Sequence, residues 1–260
     1  MTASLHVERG GRSGPSVLLL HGSGASAAVW APVLGALARR GLGLRWITVD
    51  LPGHGRSAPL PEYDHRSCAA AVAAAVAPDR YVDLVIGHSL GGLVALALAD
   101  GTFGVRVGAV TAMAMKVRWT PEELAGRAAL AAKPRRVFPD RDAAAERFAR
   151  VSGLAAIAEA DLATGIRAVD GGFALAADPR VSAAPPVSGV ELAEVVARAA
   201  APVRLVCGSA DPAVRPTDMS MTLGRPVQVV PGAGHNLHLE LPAVVVGVIE
   251  SQLLAVRRPT

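Results

Sequence analysis

Between residues 82 and 99 the chain runs Val82-Asp83-Leu84-Val85-Ile86, then G-H-S-L-G-G, then Leu93-Val94-Ala95-Leu96-Ala97-Leu98-Ala99. Apolar residues at nearly every position of a short run suit a strand buried on both faces, and the second run suits a helix. Three glycines in six residues let the backbone turn between them without side chains in the way. A strand buried on both faces needs parallel neighbours and a helical layer on each side, so strands and helices are expected to alternate along the chain.

They do. Residues 16–20, S-V-L-L-L, and 45–50, R-W-I-T-V-D, read as strands that end in turns at His21-Gly22 and Leu51-Pro52-Gly53. Residues 27–40 between them carry Val33, Leu34 and Leu37 at helical spacing and close on Gly41. Residues 67–77 predict a helix, 82–86 a strand, 90–99 a helix, 105–113 a strand, 203–207 a strand, 227–230 the last strand and 243–256 a terminal helix. The expected class is α/β, a mostly parallel central sheet with helices on both faces.

Residues 114–188 interrupt the rhythm with an alanine-rich, proline-punctuated stretch. Thr120-Pro121-Glu122-Glu123 is a capping box with proline at the first helical position, and residues 141–150 predict a second helix. This stretch is expected to form a small helical cap, inserted into a core built from 1–113 and 189–260. Ser188-Gly189-Val190-Glu191 is a further capping box, whose helix should stop before Pro202.

With 260 residues and 51% hydrophobic content the chain can bury a sizeable core, which excludes a disordered or fibrous protein. The formal charge of +4 is spread over scattered arginines such as Arg39-Arg40 and Arg135-Arg136, with no basic stripe, so no nucleic-acid partner is expected. Residues 1–9 lack a secretory pattern, and no apolar run reaches the roughly 18–20 residues of a membrane span. Cys68 and Cys207 are far apart and without metal-ligand spacing, which reads as two buried or half-buried thiols in a reducing compartment. The expected location is the cytoplasm, with no membrane partner; the oligomeric state stays open.

Ser89 is the residue of chemical interest, because G-x-S-x-G between strand and helix exposes a hydroxyl at the end of a rigid element, beside the free N–H groups of a helix start. In isolation such a motif also arises by chance in a chain with 27 glycines. Its strand-turn-helix setting, with H-G-S-G at 21–24, D-L-P-G-H-G-R-S at 50–57, G-S-A-D-P at 208–212 and G-A-G-H-N at 232–236, resembles the α/β-hydrolase superfamily over nearly the whole chain.

The resemblance implies a Ser-His-Asp triad in the order Ser89, Asp211, His235. His235 follows the last strand in a glycine turn and is the expected general base. Asp211 follows the 203–208 strand and is the expected acid, although an aspartate before Pro212 would also serve as a turn cap. The resemblance places the oxyanion hole at the backbone N–H groups of Ser23 and Leu90. Of the other histidines, His6 and His65 are expected far from the site, His54 to bond backbone in its turn, His88 to share the serine's turn and His238 to lie near the next helix.

The implied reaction is hydrolysis of a small-molecule ester or related acyl bond through an acyl-enzyme, on a substrate with an apolar acyl or alcohol part. A thioesterase, a carbon–carbon bond hydrolase, a cofactor-free haloperoxidase-like enzyme and a non-catalytic binding protein or receptor share the same pattern. Serine at position 89 argues against the dehalogenases and epoxide hydrolases of the superfamily, which carry aspartate there. No cofactor and no metal are implied. Trp119 and Met113, with Met115 beside it, are the expected substrate-contacting residues, although such residues are more often plain core packing.

Overall fold

The computed structural model describes residues 3–157, 160–184 and 186–256. The outermost residues of the core boundaries read from the sequence, 1–2 and 257–260, lie outside this set, as do 158, 159 and 185 of the cap. In chain order the elements begin β1 (Val7–Gly10), β2 (Ser16–Leu20), α1 (Ala31–Arg40), β3 (Arg45–Val49), α2 (His65–Val76), β4 (Tyr81–Val82), β5 (Leu84–His88) and α3 (Leu90–Leu98). Next come β6 (Arg106–Val107), β7 (Val110–Met113), α4 (Pro121–Ala131), α5 (Arg141–Ser152), β8 (Ile166–Val169), β9 (Gly172–Leu175) and α6 (Pro179–Ala183). The chain ends with α7 (Gly189–Arg198), β10 (Val203–Gly208), α8 (Pro216–Leu223), β11 (Val227–Val230), α9 (Leu237–Glu240) and α10 (Pro242–Ala255).

Seven strands form one sheet in the order β1-β3-β2-β5-β7-β10-β11. Every pairing in it is parallel except β1 with β3. The period-two alternation of a strand divides the core into two layers. Leu18, Leu20, Val85, Ala112, Leu205 and Cys207 pack toward α2, α3, α7 and α8. Val17, Leu19, Ile86, Met113 and Val206 pack toward α1, α9 and α10. Because both faces are covered, the central strands β2, β5 and β7 are buried at every position, and the doubly covered sheet predicted from the sequence is what forms.

The structure departs from the sequence reading in three places. The run 82–86 is broken at Asp83, whose carboxylate accepts from Ser16 N (2.7 Å) and Ser16 Oγ (3.0 Å). Tyr81–Val82 instead joins Arg106–Val107 in a separate two-stranded ladder, which also splits the strand expected over 105–113. The antiparallel edge strand β1 was not expected, since V-E-R-G is only partly buried and carries one large apolar residue. Residues 114–188 hold the two expected helices, and both halves of the Thr120–Glu123 box are formed. They also hold a hairpin, β8–β9, turned on Asp170-Gly171 with Gly171 at φ +82° and Gly172 at +144°. D-G between two β-prone runs is a strong hairpin signal, and here it outweighs the helical composition around it.

Candidate active site

Ser89 sits between β5 and α3 at φ 51°, ψ −113°, a conformation that L-residues rarely adopt. The surrounding turn leaves no alternative. A Cβ on Gly87 would overlap the carbonyl of Gly91, and one on Gly91 would overlap the carbonyls of Leu20 and His21. The Ser89 N–H donates to the Met113 carbonyl at 2.8 Å, which ties the turn to the neighbouring strand. Gly91→Ala is therefore expected to destabilise the fold by about 3 kcal/mol, because β2 carbonyls cannot move aside. Gly126→Ala on the exposed side of α4, where a Cβ meets nothing within 4 Å, should stabilise by about 0.5–1 kcal/mol. Thermal melts of the two single variants check both signs.

His235 follows β11 in the turn P-G-A-G-H, and its Nδ1–H donates to Asp211 Oδ2 at 2.8 Å. The side chain of Asp211 is fully buried, whereas that of His235 keeps 29% of its surface exposed. The other Asp211 oxygen accepts from Ala213 N (2.8 Å) and Val214 N (3.0 Å), so the acid is fixed from both sides. Burial pushes the Asp211 pKa up, but the hydrogen bond and charge of His235 and the two backbone donors outweigh it and hold the carboxyl below its ordinary value. In the neutral His235 ring this arrangement leaves Nε2 as the free lone pair. Asp211 thus combines the turn-capping role and the histidine contact, the two readings weighed from the sequence.

The loop carrying His235 is held by residues that the sequence reading did not single out. Glu240 accepts from Gly234 N (2.6 Å) and Asn236 N (3.0 Å), the amides on either side of the histidine. The His88 Nε2–H donates to the His235 carbonyl at 3.0 Å, and the two rings meet edge to face at 4.8 Å. His88 in turn stacks on His238 at 4.5 Å. Burial, with the charges of neighbouring histidines, pushes His88 down to about 3, so it stays a neutral donor.

The 21–27 loop is cross-braced to the 50–57 loop. His21 Nε2 accepts from Leu51 N (2.9 Å), His54 Nε2 accepts from Gly24 N (3.1 Å), and Asp50 accepts from Ala27 N (2.7 Å) and Arg56 N (2.9 Å). The braced loop lies against the serine: a Cβ on Gly22 would stand 3.4 Å from Ser89 Cβ and 2.7 Å from His88 Nδ1. Both Ser23 and Leu90 line the cavity that Ser89 opens into, and neither N–H has an acceptor among the described residues.

That cavity has a volume of about 750 Å³ and runs between the strand ends and residues of the 114–188 stretch. Ser89 and His235 face it together, and Trp119 lines it. Met113 does not reach it. As the last residue of β7 it is fully buried in the layer under α10, while Met115 lines the cavity instead. His65 was expected far from the site, yet it lines the same cavity from the first turn of α2, with Nδ1 3.8 Å from Glu191. Glu191 is only half of the predicted box, because Ser188 accepts from its N–H while its carboxylate turns to His65. Both cysteines are buried, and burial pushes Cys68 up to about 12 and Cys207 to about 11. Among the described residues no helix is long and apolar enough to cross a membrane, and no three His, Cys, Asp or Glu side chains are grouped to hold a metal ion.

A family model described as the alpha/beta hydrolase family matches residues 17–248. A pimeloyl-[acyl-carrier protein] methyl ester esterase of Nitrosomonas europaea is 41% identical over 99 residues, covering 37% of this chain and 36% of the relative. An esterase of Mycobacterium tuberculosis is 40% identical over 96 residues, 35% of this chain and 30% of the relative. The chain therefore matches only about a third of the length of these relatives. Among solved structures, E-2-(acetamidomethylene)succinate hydrolase superposes with a TM-score of 0.75 at 25% identity, over 96% of this chain and 95% of that one. The thioesterase domain from the curacin biosynthetic pathway gives 0.74 at 23% identity over 95% of both chains.

Proposed function

Because this chain belongs to the alpha/beta hydrolase family, we propose that it is a serine hydrolase that cleaves a small-molecule ester through an acyl-enzyme on Ser89. His235 Nε2 takes the Ser89 proton as Oγ attacks the ester carbonyl, and Asp211 holds the ring in the required tautomer and stabilises its cation. The Ser23 and Leu90 N–H groups receive the oxyanion. Protonated His235 then gives its proton to the leaving alkoxide, and water attacking by the same route frees the acid and restores the serine. Ser89 Oγ and His235 have no direct hydrogen bond among the described residues, so attack requires the hydroxyl to rotate toward Nε2. Such contacts commonly tighten only once substrate is bound.

The observation that carries this reading is the Asp211–His235 hydrogen bond facing the same cavity as a serine held in a strained turn. An ester is favoured over the other bonds open to this machinery by the relatives, two of which are named for ester hydrolysis. The cavity, lined by Leu51, Leu90, Leu93, Met115, Val181 and Val187 among others, suits an apolar acyl or alcohol part.

A fluorophosphonate probe tests the reading. Ser89 should be the labelled residue on peptide mapping, and turnover of short-chain esters should disappear in step with labelling. Labelling without turnover of any ester or thioester would favour the non-catalytic binding protein, and no labelling would remove the proposal.

A further inference from the structure

The inward stripe of α4 is Glu123, Arg127 and Ala131, and no residue of the helix is fully buried. A cap helix ordinarily turns an apolar face inward. Here two of the three inward positions carry charge, and one of them, Arg127, lines the cavity of Ser89. Glu123 is already engaged: its carboxylate pairs with Lys116 and accepts from Thr120 N at 2.9 Å. Arg127 is not. Its guanidinium lies 4.7 Å from the Trp119 ring centroid and donates one Nη2–H to the Ala184 carbonyl at 2.9 Å. No carboxylate pairs with it among the described residues.

The acids that line the cavity are occupied as well. Asp64 caps α2, accepting from Arg66 N and Ser67 N at 2.8 Å, and Glu191 stands beside His65. A half-buried guanidinium without a counter-ion gives up hydration that an incoming anion would restore. In keeping with this, burial alone lowers its pKa.

We propose that Arg127, held against Trp119, binds a carboxylate that the substrate carries apart from its scissile ester. The inference rests on the hydrolase reading of the same cavity. A carboxylate is favoured over a phosphate dianion because, among the described residues, Arg127 is the one cation lining the cavity that has no carboxylate partner, Lys116 being paired with Glu123 and Arg66 with Asp100. A guanidinium edge also matches one carboxylate through two parallel hydrogen bonds. Trp119, expected from the sequence to contact substrate, is then the platform that fixes the guanidinium plane.

Two matched 4-nitrophenyl esters test this, the hexanoate and the hydrogen adipate, which differ by a terminal carboxylate. Arg127→Gln should lower the ratio of kcat/KM for the acid ester to that for the neutral ester by about 10- to 100-fold, the range for a charged hydrogen-bond pair. An unchanged ratio would overturn the proposal. A binding arm separates this from failure of the hydrolase reading, since it needs no turnover. Monomethyl adipate titrated into Ser89→Ala protein should bind saturably, followed by tryptophan fluorescence and calorimetry, and should weaken at least tenfold when Arg127→Gln is added. Methyl hexanoate should not show that loss. No saturable adipate binding, or equal weakening of both ligands, would overturn the carboxylate site whatever the fate of the ester assays.

Discussion

Ser89→Ala protein is expected to lose about 10⁶-fold in kcat for its best ester while melting at the parent temperature, and adding His235→Ala should remove almost nothing more. The two losses do not add because neither group works alone: an alcohol without a base stays protonated, and a base without an alcohol has no proton to take. Asp211→Asn should cost less, about 10⁴-fold, for a different reason. Asp211 Oδ2 accepts the Nδ1–H of His235 while Oδ1 accepts from Ala213 N and Val214 N. An amide has only one accepting oxygen. If that oxygen stays with the backbone donors, its NH₂ faces Nδ1 and drives the ring proton to Nε2, leaving no lone pair for Ser89. A residual rate above water should survive in all three variants through the Ser23 and Leu90 N–H groups and substrate binding. Steady-state kinetics on protein free of host esterases checks the series; an active Ser89→Ala enzyme, or multiplicative losses across the double variant, would remove the triad.

The sheet was legible because burial on both faces forces apolar runs, and those runs are visible without knowing their neighbours. That Ser89, Asp211 and His235 each follow a strand was legible in the same way, whereas their grouping as a triad in that order came from the resemblance. What failed to show depends on parity or on distance. Met113 and Met115 are two residues apart and would share a face in a continuing strand, but Ala114 takes φ 50° and the chain leaves the sheet there. One methionine stays under α10 and the other turns to the cavity, a choice made by one backbone angle. His65 lies 24 positions before Ser89, and only the course of the 50–64 loop over the strand ends brings it to the cavity. Glu240 was hidden for the same kind of reason, since its value lies in amides four and six residues upstream that a helix-oriented reading does not connect.

Acid is expected to unfold this protein well before its carboxylates protonate. His21, His54, His88 and His238 are all buried, and they meet in two pairs: His88 meets His238 at 4.5 Å, while the His21 and His54 rings lie 5.1 Å apart. Burial drives His21 down to about 4 and His54 and His88 to about 3, with like charges on neighbouring histidines adding to it for the last two; His238 is lowered as well. Nearby acids oppose this without reversing it, Asp50 and Asp178 at His54 and Asp211 at His88. Each folded pKa lies below the ordinary 6.5, so as pH falls the unfolded chain binds protons that the folded chain refuses. The stability of the neutral rings is complete above about pH 6.5 and drains away between there and about pH 4 for His21 and about pH 3 for His54 and His88. From pH 7 to pH 5 that is roughly 2 kcal/mol for each of these three rings, a large share of the 5–15 kcal/mol typical of a folded protein. Urea unfolding at pH 7.5, 6 and 5 should show a steep fall. His54→Gln should start lower, having lost the bonds to Gly24 and Pro52, yet fall less steeply by about 1 kcal/mol per pH unit. A flat profile between pH 6.5 and 5 would mean that the rings are not held neutral, and with them would go the assignment of His88 as the neutral donor that fixes the carbonyl of His235.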